Sequence, residues 1–364
     1  MSMFIKKSVR AMQAYVPGEQ SRESGIVKLN TNENPYPASP LVAKALRSIA
    51  VKELRLYPEP TASTLRRRIA RIHACEVDNV FVGNGSDEIL SLCTRAFVED
   101  NGSIGFFNPS YSLYPVLAAA RNVSTQPVEL SGDFGWHMPG RFHTSLFFLT
   151  HPNAPTGMLY GKSVVKRFCK GMKGVVVIDE AYVDFSKEHC MSLALELKNV
   201  IVVRTLSKAY SLAGLRVGYA AGPRALIAAL FKLKDSYNVD TIAQHLALAA
   251  LSDLAHMRGN VGRIRRTRAR LARLLTERGA FVYASETNFL WVKPPVLPAK
   301  AFYERLREKQ ILVRYFEGNR TSDFVRITIG TDAQADRLVS AMDDMGLGVT
   351  TAPRPIRRAT NRKG

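Results

Sequence analysis

No stretch of the 364-residue chain reaches the run of about 18 consecutive apolar residues that a membrane-spanning helix requires. The first residues, MSMFIKKSVRAMQAYVPGE, carry charge but no continuous apolar stretch, which argues against a secretory signal and for a cytoplasmic protein. Cysteine is scarce. Cys75, Cys93, Cys169 and Cys190 are scattered, with no CxxC pair and no histidine at metal-ligand spacing. Reduced thiols are expected, with no disulfide and no metal. The glycine-rich turn at 83–88 lacks both the GxGxxG spacing and the GK[ST] ending, so dinucleotide and Walker-type fingerprints are both missing. The chain is also short of acid: 31 Asp and Glu stand against 51 Lys and Arg, a net charge of +20.

Such an excess suits nucleic acid, but its distribution argues otherwise. Eight arginines between positions 258 and 278 accompany Ile264, Leu271, Leu274 and Leu275. That is the pattern of a helix with an apolar stripe and a basic, solvated face. Another block lies in the tail, 351–364, which has two prolines and few apolar residues and is expected to be disordered. With no zinc-finger, helix-turn-helix or aromatic–basic RNA signature, no nucleic-acid partner is expected.

What is present has the rhythm of an α/β protein, large enough for roughly two domains. Three short apolar runs, 146–149, 175–178 and 200–203, do not alternate with polar residues, as expected of strands buried on both faces of a parallel sheet. The gaps between them leave room for crossover helices at 163–170 and 186–197. Each run ends in polar residues: Asn153 follows the first, Asp179 and Tyr182 the second, Ser207 and Lys208 the third. In open α/β sheets ligands bind at that edge, so these side chains should meet at one rim. Upstream, a strand at 80–82 enters Gly83-Asn84-Gly85-Ser86-Asp87-Glu88 and then a helix at 89–98. That turn serves equally as a phosphate site at a helix N-terminus or as ordinary capping. Downstream, helices are expected at 225–234, 241–252, 299–309 and 332–345, and strands at 281–292, 311–315 and 324–329. The divisions implied are an arm at 1–40, a large domain at 41–255, a smaller α+β domain at 256–350 that the arm joins, and the tail.

A buried strand that delivers a lysine to a polar rim suits a cofactor aldehyde that condenses with an amine. Pyridoxal phosphate needs four things from a protein. Lys208 can be the amine. Asp179 can sit against the pyridine nitrogen, though it reads as well as a strand-ending cap. Asn153 and Tyr182 can hold the ring oxygen. The turn at Gly85-Ser86-Asp87, with Ser207 and Arg216, can hold the phosphate, and Arg216 can do so through two parallel bonds.

The segments LNTNENPYP, YPEP, VFVGNGSDEI, HPNAPTG, VVVIDEAYVDF, RTLSKAYSLAGLRVGY, ETNFLWV and FVRITIGT follow one another from residue 29 to 331. Together they resemble the fold-type I, class II pyridoxal-phosphate-dependent aminotransferases, and most closely the histidinol-phosphate aminotransferase family. The resemblance implies a mostly parallel central sheet flanked by helices, and a homodimer with shared sites. It implies that Lys208 binds the cofactor and shuttles a proton, and that Asp179 pairs with the ring nitrogen. Ser86, Asp87, Ser207 and Arg216 would face its phosphate, joined by Tyr57 from the partner, and Tyr111 would stack on the ring. Arg326 would bind the acidic end of the substrate, with Arg314, Tyr15 and Asn32 nearby. In HPNAPTG the chain departs from the family, which usually has asparagine at positions 151 and 154.

The activity implied is transfer of the amino group of histidinol phosphate to 2-oxoglutarate. The same framework would serve an aromatic amino-acid aminotransferase or a threonine-phosphate decarboxylase. A basic nucleic-acid-binding protein is the non-enzyme alternative.

Overall fold

In the computed structural model, which describes residues 4–21, 23–137 and 142–348, the thirteen strands are β1 (Val27–Lys28), β2 (Val80–Asn84), β3 (Ser103–Asn108), β4 (Ser124–Glu129), β5 (Leu146–Thr150), β6 (Val175–Asp179), β7 (Val200–Thr205), β8 (Val217–Ala221), β9 (Phe281–Val282), β10 (Phe289–Lys293), β11 (Ile311–Leu312), β12 (Arg314–Tyr315) and β13 (Val325–Thr328). Seven form the central sheet, in the order β2-β8-β7-β6-β5-β3-β4. Every pairing in it is parallel except those of β8, which runs antiparallel to both of its neighbours. The apolar runs occupy its centre, and β5 and β7 are buried along their whole length. Each aliphatic or aromatic side chain enclosed there contributes about 1.5–3 kcal/mol.

The sequence pattern does not disclose β3, β4 or β8. β4 is exposed except at Val128, so it carries no apolar run. The helix expected at 186–197 shrinks to the single turn Leu193–Glu196. Glu180 accepts the backbone N–H of Cys190, and Cys190, Met191, Leu193 and Ala194 dock into the core. Those anchors hold the connection outside helical geometry.

The arginine-rich helix is Leu254–Glu277, capped by Asp253, which accepts from the His256 N–H. Its stripe of Val261, Ile264, Leu271 and Leu275 is buried. Its basic face is less solvated than expected. Arg270 pairs with Asp332 and Asp336, Arg278 in the next turn with Asp343, and Arg268 donates to the Thr287 carbonyl. The last helix, Asp332–Asp344, therefore neutralises part of the charge within the fold.

The second sheet has the order β12-β13-β10-β9 and is antiparallel. The strand expected at 281–292 is split into β9 and β10. The one expected at 311–315 breaks at Val313, because β11 turns away to pair with β1 of the N-terminal arm. That exchange ties the arm to the C-terminal third and lays residues 29–34 across the rim of the central sheet. The tail 351–364 lies outside the described residues. No helix among those described is long and apolar enough to cross a membrane.

Candidate active site

Strand order accounts for how distant residues meet. Thr150 at the end of β5 is in register with Asp179 at the end of β6, which faces Val203 of β7. On the other side, Gly83 of β2, Gly218 of β8 and Thr205 of β7 form one row. The glycine turn after β2 and Ser207 after β7 thus flank Arg216, which immediately precedes β8. A Cβ on Gly218 would lie 2.5 Å from the backbone N of Ser86, so only glycine lets β8 approach the helix N-terminus this closely.

At this rim lies a cleft of about 380 Å³. It is lined by Ser86, Asp87, Tyr111, Asp179, Tyr182, Ser207, Lys208 and Arg216 from the central sheet's side. Tyr15 and Asn32 from the arm, with Arg314 and Arg326 from the second sheet, line the rest. Two residues expected at the site are placed differently. Asn153 is wholly buried behind Ala154 and Pro155. Its Nδ2 donates to Thr156 Oγ1 at 2.9 Å, while its Oδ1 has no partner. Tyr57 stands outside the cleft, 80 % exposed, and stacks on Tyr237 with ring centroids 4.4 Å apart.

Asp179 is buried with no cation bonded to it. It accepts from the Tyr114 hydroxyl at 2.9 Å and from the Ala181 N–H at 3.1 Å. Burial pushes its carboxyl up to about 6, and Asp87 and Glu180 add to the rise while the two donors oppose it. Lys208 Nζ donates to the Thr31 carbonyl at 3.2 Å. Burial, then the positive charges of Arg326 and Arg216, bring this amine down to about 8. A fraction of it is therefore neutral near pH 7, as a nucleophilic lysine requires.

Arg216 adopts φ 54° and reaches Asp87 Oδ2 at 3.2 Å and Ser207 Oγ at 3.4 Å. Gly85 has φ +76°, and a Cβ there would lie 2.6 Å from Arg216 Nη2. The turn, the free N–H groups of the helix Gly85–Phe97 and the guanidinium make a cradle for an anion. Gly85→Ala should cost about 1–2 kcal/mol from the left-handed backbone alone, and should also displace Arg216. Chemical denaturation would read the loss, and an unchanged midpoint would mean that the turn relaxes.

At the other end, Arg326 Nη2 donates to the Asn30 carbonyl at 3.0 Å, while its buried Nε has no partner. Its guanidinium lies over Phe289 and Phe316, 5.3 and 5.2 Å from the ring centroids. A β-strand arginine of unremarkable sequence context is thus turned into the cleft. Arg314 donates to the carbonyls of Pro17 and Val16, which fastens the arm. Asn32 holds a neighbour rather than standing free: its Nδ2 donates to Tyr182 Oη at 3.0 Å, and its Oδ1 accepts from Thr328 Oγ1 at 3.0 Å. Tyr15 meets Tyr111 edge-on, 5.9 Å between ring centroids.

The residue reading overlooked the groups around Asp179. Nothing local in the chain links Tyr114 or Thr150 to it. A second cluster was also invisible in the sequence. Buried His151, Glu180 and Cys190 offer ligand atoms within 4.8 Å of one another. Glu180 Oε2, however, sits 2.8 Å from both Nε and Nη2 of Arg204, so that carboxylate serves as a counter-ion.

Residues 24–342 match the model of the family described as aminotransferase class I and II. A histidinol-phosphate aminotransferase of Microcystis aeruginosa is 41 % identical over 338 residues, 93 % of this chain and 97 % of that protein. Histidinol-phosphate aminotransferase 1 of a Nostoc species is 41 % identical over 348 residues, 95 % of this chain and 99 % of its own length. Among solved structures, histidinol-phosphate aminotransferase from Sinorhizobium meliloti, in complex with pyridoxal 5'-phosphate, superposes with a TM-score of 0.85 at 23 % identity, covering 94 % of this chain and 98 % of that one. L-threonine-O-3-phosphate decarboxylase from Porphyromonas gingivalis shares the fold with a TM-score of 0.78 at 22 % identity, covering 88 % and 99 %.

Proposed function

The chain belongs to the class I and II aminotransferase family, and from that premise we propose that it transfers the amino group of L-histidinol phosphate to 2-oxoglutarate. The products are imidazole acetol phosphate and L-glutamate, formed in two ping-pong halves. The observation that carries the reading is a single cleft in which a buried lysine amine feels two cationic ends, Arg216 and Arg326. One end suits the phosphate of a cofactor, the other an acidic group of the substrate. The identity with histidinol-phosphate aminotransferases over almost the whole chain selects this substrate over aromatic amino acids.

The residues fit pyridoxal 5'-phosphate. An anion cradle at Gly85 and Arg216, a buried carboxylate without a cation and the Tyr182 hydroxyl in the same cleft are what its phosphate, ring nitrogen and ring oxygen would engage. When bound, the cofactor supplies an electron sink for the carbon whose proton leaves. In this reading Ser86, Asp87, Ser207 and Arg216 hold the phosphate, and Tyr111 lies against the ring. Tyr182, its hydroxyl already accepting from Asn32, has its own proton free to donate toward the ring oxygen beside Asn153. Asp179 keeps a proton on the ring nitrogen. Lys208 Nζ carries the proton that leaves the amine-bearing carbon of the substrate. Arg326 receives the acidic end of the substrate, the phosphate of histidinol phosphate or the carboxylate of glutamate, with Arg314, Tyr15 and Asn32 shaping that end.

A second copy of the chain completes the site in this reading. Val51, Leu54, Leu56 and Tyr57 form an exposed apolar strip of the kind that marks an interface, and Tyr57 would reach the partner's phosphate. We also infer a cytoplasmic enzyme, since all four cysteines are free thiols, as a reducing compartment keeps them.

The test compares turnover of histidinol phosphate, phenylalanine and threonine phosphate with 2-oxoglutarate as acceptor. Histidinol phosphate should be the preferred donor; no glutamate formed from it would overturn the proposal. Arg326→Gln should lower kcat/KM for histidinol phosphate by about 10–100-fold, the loss of charge-assisted bonds of about 1.5–3 kcal/mol.

A further inference from the structure

We propose that the hydroxyls of Ser110, Thr150 and Tyr114 form a directed chain of donors that ends on Asp179, and that Tyr114 is a positioning residue which keeps this carboxylate ionised and aimed at the cleft. The inference rests on the reading of Asp179 as the partner of the cofactor's ring nitrogen.

The geometry runs inward from the cleft. Ser110 and Thr150 both line it. Ser110 Oγ lies 3.2 Å from Thr150 Oγ1, and Thr150 Oγ1 lies 2.7 Å from Tyr114 Oη. Tyr114 Oη in turn lies 2.9 Å from Asp179 Oδ2. An ionised carboxylate only accepts, so the Tyr114 proton points to Asp179. The phenol oxygen then accepts from Thr150, whose oxygen accepts from Ser110. Every donor points the same way, and such chains polarise one another.

Satisfying a buried phenol would not require this arrangement. Tyr114 has no exposed surface, but Thr150 alone, at 2.7 Å, gives its hydroxyl a partner. Asp179 is the group that depends on the contact. Without it the carboxylate keeps only the Ala181 N–H. Its charged surroundings oppose ionisation. Asp87, on the helix after β2, and the adjacent Glu180 both push it toward the protonated form, although each has an arginine partner, Arg216 and Arg204. Tyr182 faces the same group, and its own hydroxyl is held by Asn32. Tyr114 is itself fixed. Its ring stacks on Phe148 with centroids 4.6 Å apart and planes 11° from parallel, on the helix Leu113–Arg121.

Tyr114→Phe keeps the stacked ring and removes the O–H. In the cofactor-free protein, a ¹³C-carboxyl titration of Asp179 should show its midpoint raised by about one pH unit. In the holoenzyme, the acid limb of the kcat–pH profile should move up by about the same amount, with the two enzymes converging at alkaline pH. Thr150→Val, which leaves the Tyr114–Asp179 contact but shortens the chain, should move both readouts in the same direction by less. It also serves if the phenylalanine variant folds poorly. A titration midpoint unmoved in Tyr114→Phe, or a uniform loss of activity at every pH, would overturn the inference. Because the first measurement needs neither cofactor nor substrate, it stands apart from the fate of the proposed function. A wild-type enzyme inactive on histidinol phosphate would sink that function and leave the titration intact.

Discussion

Lys208→Ala should lower kcat by more than about 10⁴-fold, because in the proposed mechanism one substitution removes both the amine that would hold the cofactor and the base that would move the substrate's proton. Lys208 is the only lysine among the described residues that line the cleft, so no neighbour takes over. The cofactor should still bind through the cradle at Arg216, with the visible band of free pyridoxal phosphate in place of the lysine-bound one. Single-turnover kinetics and absorbance spectra check both halves. Transamination at more than a hundredth of the wild-type rate would mean that another group is the base. The same variant carries a stability signature in the cofactor-free protein. The amine of Lys208 titrates near 8 when folded, below its ordinary 10.5. Burial of its protonated form therefore costs stability fully below about pH 8, and the cost fades as pH rises toward 10.5. Lys208→Ala should be more stable than wild type at pH 7, by about 1–3 kcal/mol, and the gap should close above pH 10.

Asp179→Asn should cost about 10²–10³-fold in kcat, the scale of removing one preorganised charge. An amide cannot keep a proton on the ring nitrogen, so the electron sink weakens while the fold survives. The side chain can be accommodated without an orphan. Its oxygen accepts from Ala181, its nitrogen donates to Tyr114 Oη, and the Tyr114 proton turns to Thr150. Stability should move the opposite way from activity. The carboxyl of Asp179 titrates near 6 when folded, above its ordinary 3.8. The folded state thus binds a proton more readily than the unfolded one. Stability from this group is intact below about pH 3.8, falls between 3.8 and 6, and stays low above. At pH 7 the cofactor-free Asp179→Asn protein should gain up to about 3 kcal/mol. Urea unfolding at pH 7 and pH 4 checks the sign; a variant less stable than wild type at pH 7 would refute it. Opposite signs in the two measurements would be a trade-off between stability and activity at one residue.

Much of this site was legible in the chain. The lysine stands out because an unbroken apolar run, 200–203, ends five residues before it in a polar stretch, and such runs are readable wherever both faces of a strand are buried. The same logic marked Asp179 and the position of Asn153. Arg326 was legible only through resemblance, because one arginine in a short strand has no local pattern that tells cleft from solvent. The exposed strand β4 was not legible either, and neither was β8, where a glycine and two alanines stand in place of the large apolar side chains of β5 to β7. The helix expected at 186–197 failed because a distant acid, Glu180, competes for its backbone.

Burial imposes its pattern residue by residue along the chain, so the amino-acid order alone reveals which chemical groups the protein owns and at which strand ends they stand. Which of them touch depends on how the strands and helices pack. Slotting β8 between β2 and β7 makes the Gly83–Ser86 turn and Ser207 neighbours of one arginine. Folding the arm back along β11 puts Asn32 on the Tyr182 hydroxyl. Packing Leu113–Arg121 against the sheet sets Tyr114 on Asp179. Apart from Ser207 and Arg216, nine residues from each other, these contacts join residues far apart in the chain, and strand order, which no local pattern encodes, is what brings them within bonding distance.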